Sequence, residues 1–305
     1  MALKDIKAKV GATKRMHTVT RAMEAVSAVK MRKTQAAALA GRPYARAAVS
    51  ILTRLVGSHG FAEDPLTRVR EMRRTALLVI TSDKGLAGSL NSSVLRAASD
   101  AVRGRAKESV VVFAYGRKGE EFFRNRGYVL AQAVENREDD ISASRVEELA
   151  AALSNGFRAE EYDEVLAVYS NFRSTFEQVA TVRTLLPLTL PRLSELVEDI
   201  RPAKGKWSSE LSLDAPAHYA TEPDAHAKHS VLEVLIPKLV AASLYFMLLE
   251  AKASEHSARM VAMKNASDKS KEVTRTLTRA YNKVRQAQIT REVSEIVGGR
   301  EALAT

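Results

Sequence analysis

The stretch Ser82-Asp83-Lys84-Gly85-Leu86-Ala87-Gly88 follows a β-branched apolar run and precedes a helical pattern. In α/β proteins a turn at that place can hold phosphate, because the N–H groups of a helix N-terminus converge on it. Its spacing matches neither G-x-G-x-x-G nor G-x-x-x-x-G-K-[ST], and no acid at a following strand end completes a ribose site. A structural turn is the better reading. His218, His226 and His229 lie near Asp224 and carry metal-ligand chemistry, but in a polar stretch with no helical frame to fix their geometry. The pairs Asp139-Asp140, Glu147-Glu148 and Glu160-Glu161 are adjacent, so on a helix they do not converge on one substrate and suit solvated faces. There is no cysteine, which excludes disulfides, thiolate nucleophiles and thiolate-held metals and fits a reducing compartment. No Ser/His/Asp arrangement stands out. The expectation is a chain with no catalytic residue, no cofactor and no metal of its own.

The elements that position these residues have two different periods. Between Lys238 and Val297 neither Gly nor Pro occurs, and these are the strongest breakers of regular structure. A run of roughly sixty residues can then be one helix on the order of 90 Å long. Val273, Leu277, Ala280, Val284 and Ala287 recur at the spacing of a coiled-coil seam, and Gly298-Gly299 is the expected end. At the other end of the chain, Leu3 to Leu55 supplies a partner helix: Ile6, Val10, Met16, Val19, Met23 and Val26 repeat at three and four, with Ala22, Ala25 and Ala28 keeping that face narrow. Gly41 and Pro43 predict a kink or local unwinding within it.

Between them the period falls to that of strands. Apolar runs at 76–81, 110–115, 128–134, 165–169 and 176–186 predict five strands, with helices at 91–103, 119–125 and 143–157. The link at 170–175 is too short for a crossover helix, so the fifth strand is expected antiparallel to the fourth. Strands alternating with helices give a Rossmann-like α/β domain with a mostly parallel five-stranded sheet. The prolines of 187–229 and the sole tryptophan, Trp207, predict a loop or partner-contacting segment. The organisation is a coiled-coil helix (1–56), an α/β domain (75–190), a loop segment (191–229) and a second coiled-coil helix (230–305). The two helices form a long antiparallel pair.

The net charge is +11, and it resides at the ends: residues 1–55 hold 12 Lys and Arg against 2 Asp and Glu, and 230–305 hold 12 against 8. Basic helices imply an acidic partner: nucleic acid, anionic lipid or an acidic protein surface. No run reaches the ~20 apolar residues of a membrane span, and MALKDIKAKVG lacks the apolar core of a secretory signal. The residues leave two readings open, a non-enzymatic coiled-coil scaffold and a nucleic-acid-binding protein. Aromatics are only 6% of residues and the Met/Val stripe suits a seam better than base stacking, which favours the scaffold.

Four blocks carry more information than these patterns. Thr20-Arg-Ala-Met-Glu-Ala-Val-Ser-Ala-Val-Lys-Met-Arg-Lys33, Ser82-Asp-Lys-Gly-Leu-Ala-Gly-Ser-Leu-Asn91, Glu255-His-Ser-Ala-Arg-Met-Val-Ala-Met-Lys264 and the run Tyr281 to Gly298 resemble, in order, the gamma subunit of bacterial F-type ATP synthases. The resemblance implies a rotor shaft without catalytic residues, peripheral to the cytoplasmic face of the bacterial inner membrane. It implies as partners the alpha and beta subunits of the catalytic ring, the epsilon subunit and the membrane c-ring, and no nucleic acid. Motif by motif, it implies contacts to the beta subunits at Arg21, Met23, Lys30 and Arg32 and at Arg285, Gln286, Thr290 and Glu292. Tyr219 and Glu222 are the expected contacts to the c-ring and epsilon, and the tip 289–303 would sit in an apolar bearing. The absence of cysteine rules out thiol control of rotation.

Overall fold

Thr75–Ile80 (β1) is buried at every residue, as a strand covered on both faces must be. It forms the centre of a five-stranded sheet with Val110–Tyr115 (β2), Val129–Val134 (β3), Glu164–Phe172 (β4) and Gln178–Leu186 (β5) in the order β3-β2-β1-β4-β5. The first four strands are parallel, and β5 runs antiparallel to β4. Helices Leu90–Ala101 (α2), Arg117–Arg124 (α3) and Ala143–Arg158 (α4) make the crossovers. The chain is bracketed by Leu3–Leu55 (α1) and Ala225–Ala304 (α5). These features come from a computed structural model that describes residues 3–55, 64–138, 140–189 and 225–304, with side chains over 3–38, 40, 64–138, 140–189, 233–297 and 300.

Contacts divide the chain into an α/β unit, residues 27–259, and a two-helix unit, residues 1–26 and 260–305. In the α/β unit the sheet is sandwiched. On one face Leu77, Val79, Val112 and Val168 pack with Val94 and Ala98 of α2 and Phe123 of α3. On the other, Leu78, Ile80, Phe113 and Tyr169 pack with Leu149, Leu153 and Phe157 of α4 and with Leu239, Val240, Leu244 and Leu248 of α5. Residues 233–297 of α5 include a window long and apolar enough to cross a membrane by composition, and 56% of that window is buried within the protein. Among the large side chains wholly removed from solvent are Phe123, Phe157, Tyr162 and Tyr169. At ~1.5–3 kcal/mol for each fully buried large apolar side chain, this unit carries its own stabilisation.

The two-helix unit is built differently. Inward-facing residues on its α1 segment are Ile6, Val10, Thr13, His17 and Thr20, a four-three repeat, and on its α5 segment Met263, Ser267, Ser270, Thr274, Leu277, Tyr281 and Val284. His17 Nδ1 lies 3.1 Å from the Ser267 carbonyl oxygen and 3.0 Å from its hydroxyl. The expected seam is therefore corrected in phase. Met16, Val19 and Val26 face outward, as do Ala22 and Ala25, and small polar residues take the inner positions. On α5, Val273, Leu277 and Val284 are half-buried as expected, whereas Ala280 and Ala287 are exposed.

Three boundaries also move. α1 remains helical through Gly41 and Pro43. α5 starts at Ala225, inside the stretch read as loop, and contains Pro237. It continues through Gly298-Gly299 to Ala304; a helical glycine costs only ~1 kcal/mol, which a long hydrogen-bonded run absorbs.

Candidate interaction surfaces

A doubly wound sheet offers ligands the crevice where strand order reverses, here between the C-terminal ends of β1 and β4. That crevice is filled by the chain's own helix. Ser254 Oγ of α5 donates to the Ser170 carbonyl at 2.9 Å, and Ser257 Oγ to that of Thr175 at 2.7 Å. Lys252 Nζ donates to the Asn136 carbonyl at 3.0 Å, and Arg259 reaches the Gly85 carbonyl with Nη2 at 3.4 Å. Glu255 joins the two cations, 2.8 Å from Arg259 and 3.7 Å from Lys252, and all three side chains are buried. A buried carboxylate is tolerated there because it is paired and the cations' other donors find carbonyls.

The turn after β1 is closed in the same way. The buried Asp83 carboxylate accepts from the backbone N–H of Arg117 at 2.7 Å and of Asn136 at 3.0 Å. Asn136 Nδ2 donates to the Thr81 carbonyl at 2.7 Å, and Asn91 Nδ2 to Ser82 Oγ at 2.8 Å. Gly116, at φ 109°, lets β2 pass close to Thr81, whose carbonyl oxygen a Cβ would strike. The Ser82–Asn91 and Glu255–Lys264 blocks thus meet through Gly85 and Arg259. Asp83 fastens the turn to two neighbouring loops and leaves it no role as a phosphate cradle. Sequence reasoning missed Lys252, Glu255 and Arg259; their spacing on one face of an Ala- and Ser-rich helix was the available signal. What the turn does expose is Leu86, 63% accessible and in the left-handed region at φ 64°.

The candidate contacts fall in both units. In the two-helix unit Arg21 is exposed and Met23 half-buried. In the α/β unit Lys30 is half-buried and Arg32 exposed. Arg285, Gln286, Thr290 and Glu292 are all exposed on α5; Thr290 Oγ1 donates to the Gln286 carbonyl at 3.0 Å and Glu292 accepts from Gln288 at 3.0 Å. From Arg285 to Val297 every side chain is exposed, including the stripe Ile289, Val293, Ile296 and Val297. Tyr219 and Glu222 lie outside the described residues, as do His218 and Asp224. His226 and His229 fall on the α5 backbone. Among the described residues no cluster of three His, Cys, Asp or Glu could hold a metal ion.

Among the described residues, Met16, Val19, Val26 and Val29 of α1 and Ile289, Val293, Ile296 and Val297 of α5 are exposed apolar side chains at helical spacing. Exposed apolar stripes flanked by charge mark protein contacts.

Comparison with known proteins gives one answer. The family model described as ATP synthase matches residues 2–303. The ATP synthase gamma chain of Pelotomaculum thermopropionicum is 39% identical over 99% of both chains, and that of Roseiflexus castenholzii 41% identical over 99% of this chain and 98% of its own. Among solved structures, a chain of the Tetrahymena thermophila mitochondrial ATP synthase central stalk and c-ring is 25% identical with a TM-score of 0.59, covering 82% of this chain and 99% of that one. A chain from Euglena gracilis mitochondrial ATP synthase, at 17% identity and a TM-score of 0.64 over 99% and 94%, shares the fold.

Proposed function

We infer the function from one premise: the chain belongs to the family of ATP synthase gamma chains. It is the central-stalk rotor subunit of an F-type ATP synthase, transmitting torque between the membrane c-ring and the catalytic alpha/beta ring. Its partners are the alpha, beta and epsilon subunits and the c-ring. The observation that carries the mechanism is the pair of outward apolar stripes: they give the shaft a surface for other subunits. Coupling then needs no catalytic group here. As the shaft turns, its uneven surface favours one conformation of each beta subunit over another, and it shifts their equilibria by that difference alone.

The finer reading follows the same logic. The terminal helices act as an antiparallel coiled coil within the organisation 1–56, 75–190, 191–229 and 230–305. Arg21, Met23, Lys30 and Arg32 meet the beta subunits on one side, and Arg285, Gln286, Thr290 and Glu292 near the tip. Tyr219 and Glu222 face the c-ring and epsilon. The exposure of Arg21, Arg32 and the 285–292 residues supports this, since a contact residue must be accessible before assembly. The chain is itself non-catalytic and works at the cytoplasmic face of the bacterial inner membrane. Co-expression with alpha and beta subunits tests the reading. A multi-subunit ATPase that purifies only when this chain is present is expected; recovery of the chain alone, with no effect on ATPase assembly, would overturn it.

A further inference from the structure

Within the α/β unit charge is polarised along the sheet. Four loops meet at the edge where the parallel strands begin: 68–74 before β1, 102–109 before β2, 124–128 before β3 and 158–163 before β4. Together they hold ten Lys and Arg against five Asp and Glu. The opposite edge is not basic, for Glu135, Glu138 and Asp140 gather after β3.

Backbone and side-chain bonds fix the basic loops side by side. Asp163 accepts from the backbone N–H of Arg73 at 2.8 Å and of Arg74 at 2.9 Å; the Arg73 guanidinium donates to Glu71 Oε2 at 2.8 Å in an exposed pair, and the Arg68 and Arg74 side chains are exposed. Lys107 Nζ donates to the Arg126 carbonyl at 2.8 Å, and Arg105 bridges Thr75 and Glu164. Into this array the 68–74 segment sets two apolar side chains, Val69 at 71% and Met72 at 66% exposure, between Arg68, Arg73 and Arg74 in the chain.

We propose that this edge is a direct contact surface for anionic phospholipid headgroups, with the arginines at phosphate level and Val69 and Met72 at the acyl boundary. Anionic bilayers recruit clustered Lys and Arg, and short apolar side chains beside them add interfacial burial. Nucleic acid fits less well. Single strands need open aromatic faces, and here Arg126 lies 3.4 Å over the Phe122 ring and Lys107 5.8 Å over that of Tyr128. The proposal stands apart from the rotor reading, because it concerns what the α/β unit touches and not what turns it.

The test exploits the absence of cysteine. In the full chain, Met72→Cys is labelled with an environment-sensitive fluorophore, and Leu86→Cys, beyond the other end of β1, serves as control. With phosphatidylglycerol vesicles the label at 72 shifts to the blue and that at 86 does not; phosphatidylcholine vesicles shift neither. Each cation contributes about fivefold to partitioning, so Arg68→Gln/Arg73→Gln/Arg74→Gln lowers it roughly a hundredfold. Lys7→Gln/Lys9→Gln/Lys14→Gln in α1 leaves the response at 72 in place at saturating vesicle. Circular dichroism checks that the variants fold, since the Asp163 bonds use backbone groups. No shift at 72, an equal shift at 86, or loss of the response only with the α1 variant overturns the proposal. A shift produced by detergent-solubilised c-ring but not by lipid assigns the edge to a protein partner and overturns it too.

Discussion

In the α/β unit Leu77 and Val79 are completely removed from solvent, whereas in the two-helix unit Met16, Val19 and Val26 leave 56%, 57% and 53% of their surface exposed while Thr20 and Ser267 turn inward. The first unit spends its apolar residues on itself. The second leaves several of its apolar residues outward and mixes Ile6, Val10, Met263 and Leu277 on its inner face with small hydroxyl residues and the His17–Ser267 contact. A shaft has use for both arrangements. The α/β unit must hold its shape under load, and the helices must present an apolar exterior to a ring whose contacts change with angle.

The largest expected effect breaks the comparison on the side of the α/β unit. Phe157→Ala empties a fully buried site beneath the Arg70 guanidinium and is expected to destabilise by about 3–5 kcal/mol. Met16→Ala, on the outer stripe, stays within about 0.5 kcal/mol. Thermal denaturation of the two variants reads the contrast, and equal losses would erase it.

Next is the buried ionic cluster. Glu255→Ala deprives Arg259 of its carboxylate and is expected to cost about 3 kcal/mol, as breaking a buried pair does. Urea titration measures it. A loss under 1 kcal/mol would mean that the cluster is decoration on the sheet and not the clamp that closes the crevice.

A pH dependence sharpens the same contrast. Burial pushes the Tyr169 hydroxyl well above the usual phenol range, and the Tyr162 and Tyr115 hydroxyls also move up, chiefly for the same reason. Raised values in the folded state mean that the neutral phenols stabilise fully below the unfolded value near 10 and that this stability is lost as pH climbs through and above it. All three belong to the α/β unit, so its unfolding midpoint is steady up to about pH 10 and drops as the pH is raised beyond it. Tyr162→Phe flattens the slope. A midpoint unchanged above that pH contradicts the assignment.

The smallest effect on stability carries the largest on function. Met16→Gln/Val19→Gln/Val26→Gln is expected to alter the folding midpoint little, since exposed positions tolerate polarity. In the assembled enzyme the same variant retains ATP hydrolysis and loses most ATP-driven proton pumping. Pumping in proportion to hydrolysis would show that the stripe is not a coupling surface.

Much of the fold was legible because it rests on local pattern. The run at Val110–Tyr115 is β-branched, buried and bounded by turns, and it forms a strand over those same residues. The short Ser170–Thr175 link correctly implied that β5 turns back on β4. The seam was legible only in its period. Met16-Val19-Met23-Val26 and His17-Thr20-Ser27 satisfy the same spacing on different sides of α1, and hydrophobicity picks the face that is most apolar, whichever partner it serves. Lys252, Glu255 and Arg259 were hidden for a related reason. Charged residues on a helix suit solvent, and only the sheet packed against them turns them into a buried cluster. The beta-subunit contacts came from the resemblance alone, because nothing in the spacing of Arg285, Gln286, Thr290 and Glu292 distinguishes a partner-facing helix surface from a solvated one.

The most direct test of the account watches the shaft turn. A probe fixed through Arg103→Cys, an exposed site in the α/β unit, is followed while the alpha/beta ring is immobilised and supplied with ATP. The account predicts unidirectional stepping by the parent chain and lost or reduced torque with Met16→Gln/Val19→Gln/Val26→Gln. Full torque from that variant would contradict a shaft driven through its outer apolar stripe.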